Sequence, residues 1–133
     1  MIWLYSGTPG SGKSYHLAKD VYSRLRSGKR VISNVTFNLG YIQKRNKFNF
    51  KYVDNSELTV SMLEEYAGKY HEQGREGQTL LVIDECAVKF NSREYQSKDR
   101  MEWLTFFSQH RKLGYNVILV AQNDRMIDRQ IRA

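Results

Sequence analysis

Met1-Ile-Trp-Leu-Tyr-Ser6-Gly7-Thr8-Pro9-Gly10-Ser11-Gly12-Lys13-Ser14 opens as a short apolar run and breaks into a glycine-rich turn. Such a run, ended by glycines, reads as a buried strand. Residues 7–14 fit G-x-x-x-x-G-K-[ST] at every fixed position. A chance match in a chain of this length is on the order of 1 in 200 from average composition. Immediately downstream, Leu17, Ala18, Val21, Tyr22 and Leu25 recur at helical spacing, and Gly28 stands where a helix C-cap belongs. A glycine turn with a surface lysine would not need this strand–loop–helix setting; a phosphate-binding loop does. Glycines let backbone N–H groups curl around a phosphate chain, and the new helix points its positive end at the same place. The candidate nucleotide-binding residues are therefore Gly7, Thr8, Pro9, Gly10, Ser11, Gly12, Lys13, Ser14 and Tyr15. Lys13 is expected to neutralise the β- and γ-phosphates and the Ser14 hydroxyl to ligate Mg²⁺.

Further strands are expected over residues 30–35, 79–83 and 117–121, the last two as continuous apolar runs of the kind buried on both faces. Between them, Ser61-Met-Leu-Glu64 has capping-box spacing ahead of a helix with Leu63, Tyr66, Ala67 and Tyr70 on its buried stripe, broken by Gly74 and Gly77. A second helix is expected over residues 99–113, with Trp103, Leu104, Phe107 and His110 on one side and Gly114 closing it. The alternation of apolar and polar residues over 47–52 suggests a strand or hairpin arm. Strands alternating with helices imply a three-layer α/β fold around a mostly parallel sheet, with right-handed crossovers.

The run Leu80-Leu-Val-Ile-Asp84-Glu85 ends in two acids at what becomes the carboxyl edge of the sheet, where such folds bind ligands. Asp84 can hold Mg²⁺ through water, and Glu85 can polarise an attacking water as general base. This acid pair favours nucleoside triphosphate hydrolysis over transfer to a small acceptor. Gln122 ends the run over 117–121 in a polar amide that either contacts a γ-phosphate or bonds local backbone. Arg93, Arg111, Arg129 and Arg132 are each either surface residues or candidates to complete a neighbouring subunit's site. Cys86 reads as a packing residue, and His16, His71 and His110 have no metal-ligand spacing.

At 133 residues the chain has the size of one domain. Composition that is 41% hydrophobic and 26% charged argues against a disordered chain. No apolar run approaches the roughly 20 residues of a membrane helix. The absence of a basic-plus-apolar leader and the single cysteine are expected of a cytosolic protein. The net charge of +7 is lopsided: residues 1–60 carry 10 Lys and Arg against 3 acids, and residues 61–133 carry 11 of each. Localised positive charge suits phosphate-bearing partners and also aids solubility. Residues 44–52 interleave Lys44, Arg45, Lys47 and Lys51 with Phe48, Phe50 and Tyr52, read either as a single-stranded nucleic-acid contact or as an edge strand guarded by lysines.

Taken together these motifs resemble the cytoplasmic ATPase domain of the zonular occludens toxin (Zot-like) family, which includes filamentous-phage morphogenesis proteins. The likeness covers almost the whole chain. It rests on the phosphate loop close to Met1, Ile83-Asp-Glu85, Phe90-Asn-Ser-Arg93, Gln109-His-Arg-Lys112, Gly114-Tyr-Asn-Val-Ile-Leu-Val-Ala-Gln122 and Ile127-Asp128 with Ile131-Arg132. Asn91 and Lys112 stand where family members tend to carry a proline and a second histidine.

The resemblance implies a P-loop ATPase domain over residues 1–133, a C-terminally truncated fragment of a longer protein that reaches the membrane through a C-terminal part. It implies an inner-membrane-associated motor on the cytoplasmic side, using ATP and Mg²⁺ to assemble and export phage and to extrude single-stranded DNA. It would act as a homo-oligomeric ring with shared active sites and meet phage coat and assembly proteins. Acid-pair P-loop ATPases, with their additional strand, usually order their strands 5-1-4-3-2. Four parallel candidates are visible here, so the last core strand, beside the phosphate-loop strand, is expected to be missing and residues 1–6 to form a sheet edge. Two other readings stay open: a nucleotide-gated scaffold for coat or assembly proteins, and an unrelated DNA-processing ATPase of the AAA+ or helicase kind.

Overall fold

The structure, a computed structural model, describes residues 2–6, 13–84 and 97–121. The strands are β1 (Ile2–Ser6), β2 (Arg30–Ser33), β3 (Phe50–Tyr52), β4 (Thr79–Ile83) and β5 (Tyr115–Ala121). The α-helices are α1 (Lys13–Arg26), the single turn α2 (Lys44–Lys47), α3 (Val60–Tyr70) and α4 (Ser97–Leu113), with a 3₁₀ turn at Leu39–Tyr41. All described strand pairs are parallel, in the order β1-β5-β4-β2-β3.

Side chains alternate across this sheet, as a period of two requires. Val31, Leu80, Val82, Ile118 and Val120 meet Leu17, Val21 and Leu25 of α1 on one face. Ile32, Leu81, Ile83, Val117 and Leu119 meet Leu63 and Ala67 of α3 and Trp103, Phe106 and Phe107 of α4 on the other. The three layers follow from this: every residue of β4 is buried, and its one polar side chain, Thr79, is hydrogen-bonded to His71. Each fully buried Leu, Ile or Phe of this core contributes about 1.5–3 kcal/mol relative to exposure.

The expected strand order holds for β1, β5, β4 and β2, with β5 inserted between β1 and the acid-bearing β4. The fifth strand described is β3, on the opposite flank. It is a parallel neighbour of β2 rather than a hairpin arm. Residues 44–47 turn as α2 first, and Phe50 is then drawn inward against Phe37, ring centroids 5.8 Å apart.

Local signals set the helix ends. At the C-terminus of α1, Gly28 has φ +78°, its N–H donates to Leu25 O at 3.0 Å, and Lys29 N–H donates to Arg24 O at 3.0 Å. This paired closure satisfies two orphan carbonyls and needs a left-handed residue. The cap of α3 is Thr59, whose hydroxyl accepts from Met62 N at 3.2 Å, so Ser61 lies inside the helix and its capping-box spacing with Glu64 is not used. On α4 the buried stripe includes Phe106 besides Trp103, Phe107 and His110, while Leu104 is only partly covered.

His71 fastens the amino edge of the sheet. Its Nδ1 lies 2.6 Å from Leu113 O and its Nε2 lies 2.6 Å from Thr79 Oγ1. Because a carbonyl only accepts, Nδ1 carries the proton and Nε2 accepts from the threonine. Burial pushes this imidazole below the usual histidine range. Beside it, the Tyr115 hydroxyl donates to Leu63 O at 2.6 Å, binding β5 to α3.

Candidate functional site

Parallel strands bring the carboxyl ends of β1, β4 and β5 to one edge. Tyr5 pairs with Val120 and Ile83 with Leu119, so Asp84, next after Ile83, comes level with Val120 and Tyr5. Only β5 separates the strand that runs into the glycine-rich turn from the strand that ends in the acids. Two strand spacings make that separation roughly 10 Å. Lys13, Ser14 and Tyr15 open α1, a 14-residue helix with no acid in its first turn to offset its positive end. Residues 7–12, Glu85, Cys86, Arg93, Gln122, Arg129 and Arg132 lie outside the described residues.

Asp84 is half-buried, at the point where β4 turns out of the sheet. Its backbone is held by one side chain from the end of β2. Asp84 N–H donates to Asn34 Oδ1 at 2.7 Å, and Asn34 Nδ2 donates to Asp84 O at 3.1 Å. The same Nδ2 donates to Asn55 Oδ1 at 3.3 Å, and Asn34 N–H continues the ladder to Val82 O at 3.3 Å. Neither asparagine is singled out by the sequence motifs. The signal available for Asn34 was a polar amide at a strand's carboxyl end, the same one that marks Gln122.

A carboxylate at this edge suits Mg²⁺, a hard cation that takes one or two protein oxygens and fills its shell with phosphate and water. Among the described residues, no group of three or more His, Cys, Asp or Glu side chains forms an all-protein cage for a metal.

Arg111 lies elsewhere. It sits exposed in the last turn of α4, its carbonyl accepting from Gly114 N–H at 3.1 Å, at the amino edge where Thr79 pairs with Tyr115. The structure thus does not bring Arg111 to Asp84 within one chain.

The basic segment forms the outer flank of the sheet. Residues 21–53 contain eight Lys and Arg and no acid. There, Lys44, Lys47 and Lys51 are exposed, and Phe48 and Tyr52 are 85% and 48% exposed. Residues 44–52 are therefore a helical turn followed by an edge strand, with Phe50 alone of the three aromatics turned into the core. A cleft of about 300 Å³ opens between α1 and the sheet, lined by Trp3, Asp20, Ser23, Arg24, Leu80 and Ile118. It lies toward the amino edge, about three turns along α1 from Lys13, so it is not the site. Arg24 Nη2 donates from its wall to Gly77 O at 3.0 Å, and burial lowers the guanidinium's affinity for its proton.

Comparisons with known proteins bear on the family and the fold. The chain is 26% identical over 136 residues to the Gene 1 protein of Escherichia phage If1, covering 98% of this chain and 38% of that protein. It thus spans well under half the length of that relative. Among solved structures, the N-terminal domain of zonular occludens toxin from Neisseria meningitidis superposes with TM-score 0.62 at 20% identity, over 98% of this chain and 71% of that one. The pCW3 conjugation coupling protein TcpA, solved with ATPγS, gives TM-score 0.62 at 18% identity, over 98% of this chain and 46% of that one. Both likenesses are of fold, a mostly parallel sheet with helices on its faces. The family model described as Zonular occludens toxin (Zot) matches residues 1–133, and the chain belongs to that family.

Proposed function

We propose that this domain binds and hydrolyses ATP with Mg²⁺ and that the hydrolysis drives assembly and export of filamentous phage. The observation that carries the reading is the position of Asp84, level with the end of β1 and one strand away from it. An acid there stands at the same sheet edge as the end of the strand that precedes the residues the sequence marks for phosphates.

In this reading the amides of residues 7–12 and the start of α1, from Lys13 to Tyr15, bind the phosphate chain, with Lys13 on the β- and γ-oxygens. Ser14 and Asp84 hold Mg²⁺, which when bound neutralises phosphate charge. Glu85 takes a proton from the attacking water, and Gln122 contacts the γ-phosphate. Arg93 or Arg111 completes the site of a neighbouring subunit in a ring; Arg111 is exposed and remote from its own Asp84, which leaves it available for such a role in trans. Single-stranded DNA lies along the β3 flank, where exposed lysines meet phosphates and Phe48 and Tyr52 offer stacking faces. Coat and assembly proteins are the further partners. The domain works at the cytoplasmic face of the inner membrane; no helix among the described residues is long and apolar enough to cross it.

The test is Mg²⁺-ATP turnover against protein concentration, with and without single-stranded DNA. Turnover per subunit is expected to rise with concentration and with DNA. Lys13→Ala should abolish tight nucleotide binding, whereas Glu85→Gln should bind and hydrolyse at least ~10²-fold more slowly. Equal hydrolysis by wild type and Glu85→Gln would remove Glu85 from the role of base.

A further inference from the structure

We infer that Asn34 is a positioning residue for the acidic end of β4, fixing the backbone of Asp84 where the chain leaves the sheet; the inference rests on the ATPase reading above. A primary amide offers one acceptor oxygen and two donor hydrogens on nitrogen. Asn34 spends all of them here. Its Oδ1 takes Asp84 N–H at 2.7 Å, and its Nδ2 serves Asp84 O at 3.1 Å and Asn55 Oδ1 at 3.3 Å. Turning the amide over would set donor against donor and acceptor against acceptor at Asp84, so the network admits one orientation.

The place of this contact gives it its role. The β2–β4 ladder pairs Ser33 with Val82, and Asn34 N–H adds one more bond to Val82 O. Beyond that, among the described residues no strand holds Asp84 on the β2 side of β4, and the Asn34 side chain takes the strand's place. Both backbone groups of Asp84 are tied, which leaves little freedom in the peptide that carries its carboxylate and launches the next residue. A displacement of about 1 Å at a reacting group can cost on the order of 10²-fold in rate. An interaction that only joined two strands would lower stability without that consequence.

The experiment compares the full chain with Asn34→Ala, which removes every bond, and Asn34→Asp, which keeps the acceptor for Asp84 N–H. For each, kcat and KM for Mg²⁺-ATP, the Mg²⁺ concentration at half-maximal turnover, binding of a fluorescent ATP analogue without metal, and Tm are measured. Positioning predicts a fall in kcat of about 10–100-fold for Asn34→Ala. Half-saturation by Mg²⁺ should be raised, metal-free nucleotide affinity should stay within about twofold, and Asn34→Asp should be intermediate. A folded Asn34→Ala that turns over like wild type, with only its Tm lowered, overturns the inference and leaves the ATPase reading intact. Should Asn34→Ala fail to fold, Asn34→Asp decides by the same split between kcat and Tm. A wild type that neither binds nor hydrolyses ATP overturns the ATPase reading and this inference with it.

Discussion

Three glycine-to-alanine substitutions separate backbone strain from steric conflict in this fold. Gly114 has φ +92° between α4 and β5, and a Cβ there would meet Gln78 Nε2 at 2.8 Å, His71 Nδ1 at 2.9 Å and Arg75 O at 3.2 Å. The backbone penalty is about 1–2 kcal/mol, offset by about 0.4–1 kcal/mol from the stiffer unfolded chain. Crowding adds about 1–3 kcal/mol, and displacing the His71 ring from Leu113 O and Thr79 Oγ1 adds about 1 kcal/mol per bond lost. Gly114→Ala should therefore cost about 3–5 kcal/mol, a large share of the 5–15 kcal/mol typical of a domain.

Gly28 has φ +78° but nothing within 4 Å of its Cβ position, so Gly28→Ala should cost only about 1 kcal/mol. Gly68, inside α3 and also with nothing within 4 Å, should gain about 0.5–1 kcal/mol on becoming alanine. Urea unfolding monitored by far-UV circular dichroism at pH 7.5 gives all three values. A Gly114→Ala loss no larger than that of Gly28→Ala would refute the crowding around His71.

Three further outcomes are expected. Burial holds both His71 and His110 below the usual histidine range, so the unfolded chain takes up protons first as pH falls. Stability should be full above about pH 6.5 and decline as pH drops from there towards the folded-state values; urea midpoints at pH 7.5 and 5.5 test this, and the difference should shrink in His71→Gln. Tyr115→Phe removes a 2.6 Å bond to a carbonyl that keeps its place in the α3 ladder, at a cost of about 0.5–1.5 kcal/mol in the same assay, with the ring contacts retained. Phe48→Ala, at an 85% exposed position, should leave Tm within about 1 °C while weakening single-stranded DNA affinity several-fold in fluorescence anisotropy. Unchanged DNA affinity would take Phe48 out of that contact.

The sequence made the central strands legible because β4 and β5 are apolar on both faces, and continuous runs such as Thr79-Leu-Leu-Val-Ile83 have few other uses. The placement of Asp84 follows from such a run ending in an acid. Pairing was harder: alternation over 47–52 identifies a strand but carries no information on its partner, which the packing of Phe50 on Phe37 decides. Thr59 and Ser61 are both plausible caps by type, and the glutamate at Glu64 points to the wrong one. A single helical stripe through Trp103, Phe107 and His110 leaves out the buried Phe106, because an aromatic run fills more than one stripe. Least legible was Asn34, whose partner Asp84 is 50 positions away and whose bonds are made to backbone, which has no letter in the sequence.

The insertion of β5 between β1 and β4 also bears on how the chain reaches its native state. Ile2 pairs with Val117 and Thr79 with Tyr115, so the strand that joins the two halves of the site is the last of the described strands to be synthesised. Until it emerges from the ribosome, β1 lacks the strand it pairs with, although α1 can already pack on β2 and β4. Contacts closed over such separations slow folding and lengthen the exposure of strand edges. Synthesis of this domain therefore has a vulnerable interval, from the completion of β4 to the completion of β5, in which a chaperone would have most to protect.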